Sequence, residues 1–406
     1  MTTIGHPALR GSTAPRSLTR RRRRLAVPGI PTMSFWLLAA IVTVLNMFGL
    51  VMVMSASSVQ SVHDGALPWS LFQRQAMWTV LGSFALLATF MISVDFWRRL
   101  SKYLMGLAVA LLVLVLVPGI GVSANGATRW LGAGPIQIQP SEFAKFALLI
   151  FVADLLDRRS ERITDLKWCL IPVVAYLGLI SALIMKQPNL GTTIIIAVMV
   201  LTMLLVAGVP LLPLGAVAIS GAAVASFFVM FTPFRRTRFL RFLDPWADPR
   251  NSGLQNVQSL VGIANGGLLG RGLGRSTAKW GFLPFAHTDF IFAVIGEEFG
   301  LVGAMAVVLL FLGVACTGAW IAIQARDRYS MLVATGITAW ITIQAFMNIG
   351  AVVGIMPITG VPLPFISFGG SSLMINLAAV GMLLNIARHP AEHAPRTPRA
   401  SRRRSR

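Results

Sequence analysis

The chain is poor in charge, and poorest in acid. Only 12% of its 406 residues are charged, and Asp and Glu number 14 against 35 Lys and Arg. So few carboxylates confine acid–base chemistry to positions that can be weighed one at a time. Cysteine occurs twice, as Cys169 and Cys316 in separate apolar runs, which excludes a disulfide framework and any cysteine metal spacing. No short repeat is visible, and no cleavable leader is expected. The first apolar run, 34–54, is too long for a signal-peptide core and lacks a convincing cleavage site.

Apolar residues are what the chain has in excess. It is 55% hydrophobic, with a mean hydropathy of +0.73. A soluble body of this size cannot hide that much apolar surface, so the bilayer must serve as solvent. The net charge of +21 is concentrated in Arg20 to Arg24 and in Arg402, Arg403, Arg404 and Arg406. The tails 1–32 and 391–406, rich in Arg, Pro, Ser and Thr, read as disordered and cytoplasmic. Their basic character suits anionic lipid or a docking protein rather than nucleic acid.

Between the tails, 33–390 reads as one all-α multispanning domain. Ten candidate spans run near 34–54, 75–94, 103–118, 141–157, 168–185, 190–207, 210–231, 300–325, 330–353 and 371–388. Segment 290–299 carries Glu297 and Glu298 and reads as a short lead-in helix or a partly inserted segment. Arg98, Arg99, Lys102, Arg158, Arg159, Arg162, Lys167, Arg326 and Arg328 fall on the side of both tails, whereas loops 55–73 and 354–370 have no Lys or Arg. That asymmetry puts both termini in the cytoplasm. The loop between the seventh and eighth spans, 232–289, is then external yet strongly basic, and calls for a functional reading.

Six carboxylates lie near outer loops or in spans: Glu142, Asp244, Asp248, Asp289, Glu297 and Glu298. Ionisable groups at membrane depth are costly and mark function by default. Asp289, in His287-Thr288-Asp289-Phe290-Ile291-Phe292-Ala293, sits where the loop returns to the membrane. Desolvation there would make it a better proton acceptor, although an Asp before an apolar run is also a helix N-cap. Glu142 and Lys145, three apart after Pro140, share a helix face and can pair. The pair is either structural or part of a site. Arg271, Arg275 and Lys279 fall four apart and form one basic stripe if helical, solvated or facing an anion. The glycines at 265–275 lack the strand–turn–helix context of a dinucleotide fingerprint. Ser371 or Ser372 can cap the last helix, whose N-terminus would attract anions. The breaker-rich run 360–372 must line protein or a watery cavity, because a membrane tolerates irregular backbone only there.

These segments, in this order, resemble the signatures of the SEDS family (shape, elongation, division and sporulation) over roughly 35–390. The matching runs are Asn125-Gly126-Ala127-Thr128-Arg129-Trp130 with Gln139-Pro140-Ser141-Glu142 and Lys145; Lys186-Gln187-Pro188-Asn189; Asp244-Pro245-Trp246-Ala247-Asp248-Pro249 with the following glycines; the Asp289 run; and 360–372. The resemblance implies a peptidoglycan glycosyltransferase that polymerises lipid II and releases undecaprenyl pyrophosphate. It makes Asp289 the catalytic base. It turns Glu142 and Lys145 toward the catalytic cavity, and offers Gln187, Ser371, Arg271, Arg275 and Lys279 as substrate-binding residues. No cofactor is assigned; a divalent cation (Mg or Mn), with ligands unknown, is an alternative source of positive charge. The implied partners are lipid II, a class B penicillin-binding protein, other division proteins and membrane lipids. Softer cues favour the cell-division branch, acting at the septum of the bacterial cytoplasmic membrane, over the elongation branch. A lipid II flippase and a recruiting scaffold are the alternative classes. Two departures stand out. Phe285 replaces a Glu frequent in the family, which rules out a second carboxylate there. Asn189 replaces an Asp, so a charge is missing unless that position only caps a helix.

Overall fold

A computed structural model describes residues 32–389, except 64, 66, 125, 126 and 135. Both basic tails, 1–32 and 391–406, therefore lie outside the described residues, apart from Thr32. Twelve helices carry the described fold: α1 (Met33–His63), α2 (Ser70–Met91), α3 (Val94–Leu114), α4 (Pro140–Arg158), α5 (Ile171–Lys186), α6 (Leu190–Ala207), α7 (Leu211–Phe231), α8 (Pro233–Leu243), α9 (Leu254–Gly266), α10 (Ile291–Ile323), α11 (Arg328–Val352) and α12 (Gly370–Ala387). Their boundaries follow local chemistry. Pro140 opens α4 from its first turn, where a missing N–H costs nothing. Asn189 and Asp327 accept the N–H groups of Thr192 and Ser330, at 3.2 and 2.9 Å, and so cap α6 and α11. Gly208 closes α6 at φ 93°.

Seven described helices are long and apolar enough to cross a membrane, or eight if α2 and α3, which meet at 114°, form one broken span. α4 is excluded from this group by its own charges, among them Glu142, Lys145, Asp154 and Asp157. α12 is central and packs along α2, while α7 is almost wholly on the outside.

α10 is two helices joined at Gly300, whose φ of 65° and ψ of −162° break the run. A side chain there would strike the backbone of Leu268 and Gly270. The amides of Arg271, Gly272, Leu301 and Val302 pair with the carbonyls of Glu297, Glu298, Gly267 and Leu268, at 2.9–3.2 Å. The break is thereby satisfied by protein, as apolar surroundings require. Residues 291–299 are the short lead-in helix expected from Glu297 and Glu298.

The helical membrane fold expected from the sequence holds, with one small addition: a three-stranded antiparallel sheet, β1 (Val122–Ala124), β2 (Ala127–Ala133) and β3 (Ile136–Ile138), between α3 and α4. Its strands are short, and only β2 exceeds three residues. The condition for a basic stripe, one helix carrying Arg271, Arg275 and Lys279, is not met. Gly270, Gly272 and Gly274 take φ of 80°, 98° and 79°, which an α-helix cannot accommodate.

The ten spans expected from the sequence would put Ser252, exposed between α8 and α9, outside the cell. A Ser252→Cys protein should react with a membrane-impermeant maleimide on intact cells. Labelling only after permeabilisation would invert the topology.

Candidate active site

Where the sheet, the α7–α8 junction and the N-terminal ends of α4, α6 and α12 converge, they enclose a cavity of about 750 Å³. Asp289 lines it from the loop before α10. That loop is held by the breaker-rich run. Ser367 Oγ donates to Thr288 O (2.7 Å), the Phe368 amide donates to His287 O (3.0 Å), and Asn348 Nδ2 donates to both Asp289 O and Val361 O (2.8 Å each). Run 360–372 therefore clamps the Asp289 backbone and also walls the cavity. Phe290 occupies the N-cap position of α10, with no side-chain cap bond, so the Asp289 carboxylate is not the helix cap.

The carboxylate is part-exposed to the cavity yet set deep in the protein. Desolvation pushes its pKa up to about 6, against the pull of Arg238 and Arg129. Burial in turn pushes the Arg129 and Arg238 guanidiniums down. Mutual repulsion adds to the effect at Arg129, while Asp289 opposes it at both. Arg129 reaches the cavity from β2, held by the carbonyls of Gln187 (2.9 Å) and Pro188. Arg235 and Arg238 line it from one face of α8, and Arg74 from α2, its guanidinium 5.8 Å from the Phe368 ring centroid. Arginine stays protonated at any ordinary pH. Four guanidiniums thus meet two carboxylates, and Glu142 is already neutralised by Lys145 Nζ at 3.0 Å.

Lys145 itself is fully buried. It donates to Gln344 Oε1 (2.9 Å) and lies 4.7 Å from the Trp340 ring centroid. Only Glu142 of this pair reaches the cavity wall.

The other sequence candidates fall differently. Arg271 and Lys279 turn away from the cavity and face Glu297 and Glu298, each at 3.4 Å, and Arg275 is exposed. None of the three lines the cavity, because the glycine-rich loop folds onto the break in α10. Gln187 is buried with its side-chain amide on Leu112 O (3.4 Å), and contributes a backbone carbonyl to Arg129. Ser371 lines the cavity, but neither it nor Ser372 caps α12, whose N-cap is Gly369. The Ser371 hydroxyl instead accepts the Gln139 amide at 3.1 Å. Asn189 lines the cavity and caps α6 without the charge an Asp would bring.

Among the described residues, no three His, Cys, Asp or Glu side chains are grouped to hold a metal ion. A divalent cation does not fit the cavity wall, where Glu142 is paired and Asp289 faces guanidiniums.

Arg74, Arg235 and Arg238 were missed as site residues, and Arg129 was noted only within a motif. The available signal was the basic external loop itself, which breaks the charge asymmetry. Arg235 and Arg238 in that loop are three apart on one helix face.

The sequence matches the model of a family described as cell cycle protein, that of FtsW, RodA and SpoVE, over residues 35–392. It is 41% identical to the probable peptidoglycan glycosyltransferase FtsW of Mycobacterium tuberculosis over 93% of this chain and 72% of that protein. It is also 41% identical to stage V sporulation protein E of Bacillus subtilis, over 87% and 97%. Among solved structures, a chain of a peptidoglycan synthase complex, described as coordinating polymerization and crosslinking, superposes with a TM-score of 0.72 at 29% identity, covering 87% of this chain and 97% of that one. The Thermus thermophilus rod shape determining protein RodA superposes with a TM-score of 0.66 at 27% identity, over 87% and 96%.

Proposed function

This chain belongs to the cell cycle protein family of FtsW, RodA and SpoVE, and we propose that its 750 Å³ cavity polymerises lipid II. It is a membrane protein and a peptidoglycan glycosyltransferase. One observation carries the substrate reading: a single unpaired carboxylate titrating near 6 faces an excess of guanidiniums. A base poised near neutrality suits removal of a sugar hydroxyl proton. Surplus fixed positive charge suits a pyrophosphate that gains charge as it leaves.

The acceptor's GlcNAc 4-hydroxyl gives its proton to Asp289 as its oxygen attacks the anomeric carbon of the MurNAc that ends the growing strand. The bond to undecaprenyl pyrophosphate breaks, and Arg74, Arg129, Arg235 and Arg238 hold the departing diphosphate by charge-assisted hydrogen bonds. No step runs through a metal. The apolar tail lies in the membrane beside the spans. Ten spans with both termini cytoplasmic, a place at the septum of the bacterial cytoplasmic membrane, and a class B penicillin-binding protein as cross-linking partner complete the reading. The naming of the curated relatives supports the division branch.

The purified chain given lipid II should form glycan strands, with and without its transpeptidase partner. Transport of lipid II without strand formation would assign the cavity to a flippase. Arg129→Ala and Arg238→Ala should each lower kcat/KM by roughly 10- to 100-fold, the loss of one or two charge-assisted hydrogen bonds. Arg129→Lys should recover only part, because Lys lacks the forked donor set. Wild-type kinetics for both alanine variants would remove the guanidiniums from the mechanism.

A further inference from the structure

A second cavity, of about 720 Å³, lies at the opposite end of α4 from Glu142. The two ends are separated by about 24 Å, from Glu142 to Arg158 at 1.5 Å per residue. α4 forms its floor, and α3 and α5 form its walls. Its deep part is apolar: Met105 and Val109 face Phe151, whose ring packs edge-on against Tyr176 with centroids 4.6 Å apart. Its rim is basic, with Lys102, Arg158 and Arg159 all lining it.

The one carboxylate in the wall, Asp154, is already satisfied. It takes Arg98 Nε (2.9 Å), Arg158 Nε (2.8 Å) and Ser101 Oγ (3.1 Å). Arg98 also pairs with Asp157 at 2.7 Å. Arg159 bonds the Trp168 carbonyl and lies 6.0 Å from that ring's centroid. Lys102 is exposed and has no acidic partner within ion-pair distance among the described residues. The rim is therefore left with positive charge that the protein does not neutralise.

We propose that this groove is a binding site for an anionic phospholipid of the cytoplasmic leaflet. The lipid's phosphodiester would sit between Lys102, Arg158 and Arg159, and an acyl chain would lie along Met105, Val109 and Phe151. Two features select this occupant. The groove joins a basic rim to an apolar interior, as a headgroup joined to its chains requires. It also lies at the end of the bundle where Lys and Arg accumulate, the end that faces anionic lipid. A soluble anion would use the rim and leave the apolar part without purpose. Tyr103, Leu107 and Ile171, next in sequence to the lining residues Lys102, Gly106 and Pro172, are exposed.

Two substitutions separate the parts of this site. Lys102→Gln removes one charge from the rim. Gly106→Leu plugs the groove without changing charge, since a Cβ at Gly106 meets nothing within 4 Å. Both positions are exposed, so neither change disturbs the core. The purified full-length chain would be equilibrated with mixed micelles of phosphatidylglycerol and phosphatidylcholine, and retained lipid read by native mass spectrometry. The wild type should retain phosphatidylglycerol in preference. Lys102→Gln should lower that retention about five-fold, the usual weight of one basic residue near an anionic surface, and Gly106→Leu should lower it at least as much. Arg99→Gln, an equal charge change outside the groove, should leave it unchanged. Equal retention of the two lipids, or retention that survives either groove variant, overturns the proposal. Displacement of the lipid by millimolar glycerol phosphate would instead assign the rim to a free anion.

Discussion

Asp289→Asn should abolish strand formation by about 100-fold or more, the usual weight of a general base, while leaving the protein at least as stable as the wild type. The two halves of this expectation come from the same physics. The folded carboxylate has its pKa raised from 3.8 to about 6, chiefly by burial. Between those values the folded state holds the proton more tightly than the unfolded state does. The group therefore favours folding at low pH, and that contribution is lost as pH rises through about 6. At neutral pH the buried charge is a cost, and an uncharged Asn relieves it. Asn also cannot accept the acceptor sugar's proton. A helix-capping Asp would behave oppositely: Asn would cap nearly as well and activity would persist. In the wild type, kcat/KM should fall below about pH 6 as the base takes up its proton, with a slope approaching ten-fold per pH unit. Strand synthesis from lipid II, a pH–rate profile and thermal unfolding in detergent measure the three parts. Normal polymerisation by Asp289→Asn would remove Asp289 from the chemistry.

The scarcity of acid singled out Asp289, but the residues alone left base and helix cap open, and it was the family resemblance that favoured the base; the structure removes the capping reading. The helices were legible because a span needs only length and hydropathy, and Glu297 and Glu298 marked the part of α10 that lies before its break. Spacing failed for the arginines. The fourfold interval of Arg271, Arg275 and Lys279 has meaning only on a helix, and glycine at 270, 272 and 274 argued against one. The guanidiniums that do meet at the cavity come from α2, β2 and α8. These elements are remote in sequence, and only tertiary packing brings them together. The small sheet was hidden by its short strands, although Asn125-Gly126 is a hairpin dipeptide.

Lys145→Met should destabilise the protein by about 3–5 kcal/mol, the loss seen when one partner of a buried ion pair is removed. Lys145 is fully buried, and Glu142 nearly so, at 3% exposure. Removing the lysine leaves Glu142 charged and buried without its partner, and strips Gln344 and Trp340 of the cation they surround. The effect should reach the clamp over Asp289 as well, because Gln344 Nε2 also holds Pro362 O at 3.0 Å. The double variant Glu142→Gln with Lys145→Met removes both charges at nearly constant volume and should recover most of the stability, since a buried pair and its neutral isostere are often close in energy. The recovered protein then separates two roles for Glu142, the member of the pair that lines the cavity. A pair that only supports the wall predicts a double variant that is stable and polymerises lipid II at close to the wild-type rate. A carboxylate that orients the sugar predicts a double variant that is stable and slow, with the loss in kcat rather than in folding. Thermal unfolding of the two variants, followed by strand synthesis on those that fold, decides between these roles. A single Lys145→Met protein as stable as the wild type would show that the Lys145 contacts to Gln344 and Trp340 are not what holds α4 against α11.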